Sequence, residues 1–207
     1  MALLLHAVTP TETASGQLSL PDGTTRIVFR DLAAVVSERE KFALDEADEV
    51  AIGGHRGIVD AIFKRQVVLP TPPGVVFRTE HVLTRWMELH YVALNDALAF
   101  VTDRQAMRVH VQRAAPIHRE DAEAGSDLAE VAATVFRELR RRAVASVPIT
   151  SEQVTGTPLS GAFLVERELF REFERGVAEV KASQPKLLIQ MTGPWAPYDF
   201  VRMQFGD

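Results

Sequence analysis

The spacing of apolar positions along the chain switches between a period of two and a period near 3.6, which predicts strands interspersed with helices. "ALLLHAV" at residues 2–8 reads as a first strand. "TRIVFR" and "DLAAVVSE" follow the Pro21-Asp22-Gly23 turn as further strands, and "QLSL" before that turn fits a hairpin partner. The charged run "REKFALDEADEV" reads as a solvated loop or short helix. From about Glu49 to Gln66 the pattern is helical, with Val50, Ile58, Ala61, Ile62 and Arg65 towards one side. "VVLPTPPGVVF" is a strand interrupted by three prolines, which cannot lie inside a central ladder. A long helix is predicted from Thr79 to about Val101. Val82, Trp86, Leu89, Ala93 and Ala97 fall on one face of it, and Leu83, His90, Leu94 and Leu98 on the adjacent one, a stripe wide enough to be buried.

The second half is more regular. "AMRVHVQRA" alternates as a strand, and a helix follows from Leu128 to about Arg142 with Ser126 or Asp127 as its N-cap. "AVASVPI" and "LSGAFLV" are strands, a helix runs from Glu166 to Lys181, and "PKLLIQMTG" is a last strand. From about residue 105 this is β-α-β-β-α-β, the ferredoxin-like order: an antiparallel sheet with two helices on one face. The expectation is an α+β protein of two domains. Residues 1–103 form an N-terminal α+β domain and 104–207 a ferredoxin-like domain with a C-terminal tail, the boundary falling near Thr102–Gln105.

Composition narrows the function classes. The 207 residues are 46% hydrophobic and 25% charged, ordinary values for a folded protein. With no cysteine there is no disulfide, thiolate metal site or cysteine nucleophile. A formal net charge of -5 argues against general nucleic-acid binding. The opening apolar run lacks a basic flank and ends at Val8, too short for a signal core, and no later window reaches the roughly 18 apolar residues of a membrane span. A cytoplasmic protein without a membrane partner is expected.

No motif supplies chemistry. His81 and His90 lie nine residues apart on the predicted helix, about 13 Å along its axis, and cannot share one metal. His6, His55, His110 and His118 have no carboxylate cluster at ligand spacing, and all six histidines read as structural or surface residues. Ser160-Gly161 lacks a nucleophile elbow. "AIGGHRG" matches neither phosphate-binding loop and reads as a helix start. Arg137, Arg140, Arg141 and Arg142 form a basic helix end that meets the macrodipole, with Glu138 spaced to pair with Arg142. No enzyme activity, metal or cofactor is expected. What remains is "LLIQMTGPWAPYDFV", where a strand runs into two prolines, a Trp and a Tyr. Those aromatics suit packing of a chain end or contact with a partner, and packing is favoured.

That segment resembles the C-terminal signature of the gas vesicle accessory GvpF/GvpL family. Thr192, Gly193, Pro194, Trp195, Pro197, Tyr198, Phe200 and Val201 match its T-G-P-W-P-P-Y-x-F-V-like pattern, with Ala196 in place of a proline. "DLAAVVSE" and "GGHRGIVDAIFKRQVVLPTPPGVVF" are similar to the family's earlier segments, although Thr71-Pro72-Pro73 stands where an Arg-Phe pair is usual and the loop at 39–48 is short. The resemblance implies a two-domain α+β fold with a ferredoxin-like second domain. It also implies a non-enzymatic, gas vesicle-associated accessory that binds the shell protein GvpA and other Gvp proteins, assists nucleation and prevents aggregation. Gly193, Pro194, Trp195, Pro197, Tyr198 and Phe200 are then structural or partner-contact residues, with Trp195 and Tyr198 locking the tail to the fold. The alternative is a small-molecule-binding or enzymatic ferredoxin-like protein whose interdomain cleft draws on His55, Arg56 and His90.

Overall fold

A computed structural model describes residues 1–12, 20–40, 49–114, 124–149 and 159–203. Within them the fold mixes α and β, with five α-helices and two antiparallel sheets. The chain divides into two compact units: Met1–Thr102 together with Ala196–Asp207, and Asp103–Trp195. The tail expected in the second domain thus belongs to the first unit. "QLSL" and the charged run after Arg39 lie largely outside the described residues.

In the first unit the strands are β1 (Ala2–Pro10), β2 (Thr25–Phe29), β3 (Leu32–Arg39), β4 (Leu69–Pro70) and β5 (Val76–Phe77). Their order is β2-β3-β1-β4, with β5 also pairing β1, and every pairing is antiparallel. The proline-rich segment contributes only the two short edge strands β4 and β5, because Pro70, Pro72 and Pro73 offer no ladder donors. Both faces of this sheet are covered. On one, Leu5, Val8, Leu32, Ala34 and Val36 pack with Leu83, Trp86 and Met87 of α2 (Glu80–Leu89) and Leu94, Leu98 and Val101 of α3 (Tyr91–Val101). On the other, Ala7 and Val35 meet Val59, Ile62 and Phe63 of α1 (Glu49–Phe63). Two-sided burial explains why Leu32 to Val36 are buried without alternation.

Two helical expectations change. Among the described side chains of α1 the buried stripe is His55, Val59, Ile62 and Phe63, at i, i+4, i+7 and i+8; Val50 lies outside them, and Arg65 lies past the helix end and is exposed. The predicted helix 79–101 is broken at His90 into α2 and α3. Thr79 caps α2 by accepting from Val82 N, and the Tyr91 hydroxyl at the start of α3 donates to Asp31 in the β2–β3 turn. Val82 and Leu89, placed in the predicted stripe, face outward, as does Val92, the last two at 69% and 70% exposure.

The second unit runs β6 (Arg104–Arg113), α4 (Ala124–Arg140), β7 (Ala145–Ile149), β8 (Leu159–Glu166), α5 (Phe170–Ser183) and β9 (Leu187–Trp195). Its sheet has the order β7-β8-β6-β9, antiparallel throughout. Ala132, Val135 and Leu139 of α4 and Phe173, Val177 and Val180 of α5 share one cluster with Met107, Val109, Val111, Phe163 and Val165. Both helices therefore cover the same sheet face. Helix α4 begins before Ser126 and Asp127, which lie inside it rather than at its cap. Arg142 lies past its end and donates to Glu179 of α5 at 2.7 Å rather than pairing with Glu138. Its side chain crosses Gly176, where a Cβ would stand 2.2 Å from Nη1.

Phe173 is fully buried, with its ring centroid 5.4 Å from that of Phe163. Phe173→Ala is expected to destabilise the protein by about 3–5 kcal/mol, read as a lower urea midpoint with unchanged slope.

Candidate functional site

The signature segment is divided between the two units. Along β9, Thr192 pairs with Arg108 and Trp195 with Ala106, so Gly193 and Pro194 together oppose only Met107. This is a β-bulge, and it needs a glycine. Gly193 has φ +126°, and a Cβ there would stand 2.9 Å from the Ala106 carbonyl oxygen and 3.0 Å from the Met107 side chain. The Gly193–Pro194 peptide is cis. Trp195 is 40% exposed, with Nε1 donating to Thr192 Oγ1 at 3.2 Å. Thr192 in turn lies 3.4 Å from His110 Nε2, whose Nδ1 is 2.8 Å from Ser160 Oγ. The expected burial of Trp195 is thus not found, because its ring stands at the end of an edge strand.

The anchoring comes one residue later. Ala196 is 1% exposed and joins Ala7, Val35, Val59, Ile62 and Phe63, with Tyr198 packed on the same cluster. Pro197 is buried, Phe200 is half-buried in a 3-10 turn, and Val201 and Met203 reach the opposite cluster under α2 and α3. The signature therefore joins a glycine bulge to an anchor. Burial and the Asp60 carboxylate push the Tyr198 hydroxyl well above its usual range, and that oxygen is buried without a hydrogen-bond partner.

The first unit also holds a polar knot that sequence reading did not find. At β1 the register slips: Leu5 faces Val36 and Ala7 faces Val35, leaving His6 as the bulged residue. Its ring turns to the α1 side and meets His55, with Nδ1 to Nδ1 at 3.1 Å. Thr71 holds the bulge by donating its hydroxyl to the carbonyls of Leu5 at 2.7 Å and His6 at 3.0 Å. His55 Nε2 donates to the Thr71 carbonyl at 2.9 Å, and His6 Nε2 lies 2.9 Å from Ser37 Oγ. Both rings are 2% exposed. Burial, then His55 and Arg39, lowers the His6 pKa to about 4, and burial also lowers that of His55.

His55 therefore has both ring nitrogens engaged internally and none to offer a ligand. Arg56 is exposed, and His90 is half-buried against the Trp86 ring at 5.3 Å. The glycines of "AIGGHRG" lie within α1, not at its N-terminus. A cleft of about 250 Å³ in the second unit is lined by Phe136, Arg137, Arg140, Val147, Pro148 and Phe163, which give apolar walls and cations but no paired acid and base. Among the described residues, no group of three or more His, Asp or Glu side chains could hold a metal, and no helix is long and apolar enough to cross a membrane.

Gly193→Ala is expected to cost about 1–3 kcal/mol in thermal or urea unfolding, since it combines a clash with a positive φ. Tyr198→Phe removes an unpartnered buried hydroxyl and is expected to leave stability unchanged or raise it by up to about 1 kcal/mol in the same assay. A neutral buried His6 is bound by fewer protons than the unfolded chain below pH 6.5. Its contribution is complete above that value and falls away as pH drops towards about 4, by on the order of 3 kcal/mol. Urea midpoints measured across that window on wild type and His6→Asn check this, the variant having the flatter profile.

Comparison with known proteins agrees with this fold. The family model described as "Gas vesicle synthesis protein GvpL/GvpF" matches residues 3–129 and 112–202. Gas vesicle protein F2 of Halobacterium salinarum is 26% identical over 193 residues, covering 89% of this chain and 84% of its own length. Gas vesicle protein F1 of the same organism is 22% identical over 181 residues, covering 86% and 81%. The crystal structure of GvpF from an Anabaena species superimposes with a TM-score of 0.78 at 16% identity, covering 100% of this chain and 98% of that one. GvpF from Microcystis aeruginosa gives 0.75 at 15%, covering 98% and 99%. The chain belongs to the GvpL/GvpF family of gas vesicle synthesis proteins.

Proposed function

We propose that this gas vesicle accessory binds the shell protein GvpA, assists nucleation of the vesicle and keeps the shell protein from aggregating before assembly. The observation that carries the reading is the outward apolar set on α2 and α3, with Val82 at 47%, Leu89 at 69% and Val92 at 70% exposure. A shell protein that builds an apolar, gas-facing wall presents sticky surface until it is assembled, and a companion needs apolar side chains to cover it. Other Gvp accessory proteins are the remaining partners in this reading, and the cytoplasm, at the vesicle surface, is its place of action. Gly193, Pro194, Trp195, Pro197, Tyr198 and Phe200 serve structure in it, with the exposed Trp195 ring available to a partner.

The same reading takes the two compact units as domains, the second of them ferredoxin-like. Its support is the strand order β7-β8-β6-β9 with α4 and α5 on one sheet face.

Co-expression with the host's GvpA, followed by pull-down from the soluble fraction, tests the proposal. Soluble, co-purifying GvpA is the expected result. Leu89→Asp combined with Val92→Asp is expected to cut recovery at least severalfold while leaving the melting temperature near that of wild type. Insoluble GvpA with nothing co-purifying would sink the reading.

A further inference from the structure

We propose that His6 and His55 form a proton-operated latch between the β1 bulge and α1, with Ser37 as its proton port. The argument begins with the hydrogen bonds. A carbonyl only accepts, so His55 Nε2 carries the hydrogen that it donates to Thr71 O. The other nitrogen of that neutral ring, Nδ1, is then an acceptor, and the 3.1 Å contact requires His6 Nδ1–H to donate. His6 Nε2 remains as an acceptor and takes the Ser37 hydroxyl hydrogen. At neutral pH the two rings thus hold opposite tautomers, fixed by one backbone carbonyl.

The same logic orders the protonation steps. The one ring nitrogen of the pair not already committed to a neighbouring ring or to Thr71 is His6 Nε2. A first proton enters there, the Ser37 hydroxyl turns from donor to acceptor, and the Nδ1–H to Nδ1 bond survives. Ser37 is half-buried at the margin of the knot, which makes it the route from solvent. A second proton has to lodge on His55 Nδ1, where it confronts His6 Nδ1–H, and the rings must part.

The surroundings oppose both steps. The Arg39 charge on β3 acts against a charged His6 and the Arg56 charge on α1 against a charged His55, whereas the Thr71 carbonyl alone favours a charged His55. Asp60, further along α1, acts on Tyr198. Parting the rings frees His55 from the sheet. Val59, Ile62 and Phe63 follow it on the same helix and seat the tail residues Ala196 and Tyr198. Acid therefore loosens α1 and the tail's anchor together.

Nitrogen-resolved spectra of the histidine side chains at pH 7 test the first half. The expected result is Nδ1–H on His6 and Nε2–H on His55, with His6 Nε2 the first position to gain a proton on titration. The same tautomer on both rings, or two rings titrating as in free solvent, would overturn the latch. Amide exchange in α1, corrected for intrinsic rates, tests the second half. Between pH 7 and 4.5 protection in wild type is expected to fall roughly ten- to hundredfold. The His6→Asn/His55→Gln double variant is neutral and still able to donate and accept, and its loss should be less than about threefold. Equal losses in the two proteins would overturn the proposal. If the double variant fails to fold, the wild-type titration still decides it.

Discussion

Strand β1 has to be buried on both sides, and much of the first unit is arranged to satisfy that requirement. A strand covered on both faces cannot leave a polar side chain or backbone group unpaired without a cost of about 1–3 kcal/mol. Leu5 and Val8 serve one face and Ala7 the other, yet His6 sits between them at a register slip. Thr71 resolves the problem by bonding the carbonyls of Leu5 and His6, and His55 closes the knot from α1. The polar atoms that a bulge would otherwise orphan are thereby joined in one network. Thr71 can play this part because the prolines around it confine the segment to short edge strands, leaving it beside β1 without a full ladder of its own.

Much of this was legible in the sequence, and what was missed has identifiable causes. Period-two and period-3.6 spacing located the described strands and helices of the second unit to within a few residues, although Gly161 to Val165 of β8 are buried without alternation. The proline-rich segment was read as a strand interrupted by its prolines and unable to lie inside a central ladder, and only two two-residue strands of it pair with β1. The break at His90 left no mark, since "MELHYV" contains neither Pro nor Gly. It accompanies the tertiary hydrogen bond of Tyr91 to Asp31, which no local pattern encodes. The apolar stripe of α1 was misjudged in part because a buried member of it is a histidine, His55.

The histidine pair was invisible for a related reason. His6 and His55 are 49 positions apart, and a bulge brings them together, not a periodic spacing. The signature "TGPWAPY" announced a rigid element but not how its residues divide. Gly193 answers to a backbone clash and a positive φ, whereas Trp195 stands exposed and the smaller Ala196 is the buried one. Size and hydrophobicity would have ranked those two the other way, since an edge-strand position overrides both.

Because the chain leaves the first unit at Thr102 and re-enters it at Ala196, the second unit is an insertion within the first. On the ribosome this sets an order. Residues 103–195 emerge as an uninterrupted stretch that carries all of its own cluster. The first unit, although synthesised earlier, stays short of Ala196, Tyr198, Val201 and Met203 until those residues clear the exit tunnel. The later-made part can thus reach its final packing before the earlier-made part. Until then the seat on Val59, Ile62 and Phe63 is an apolar vacancy that a chaperone, or a neighbouring nascent chain, is free to find.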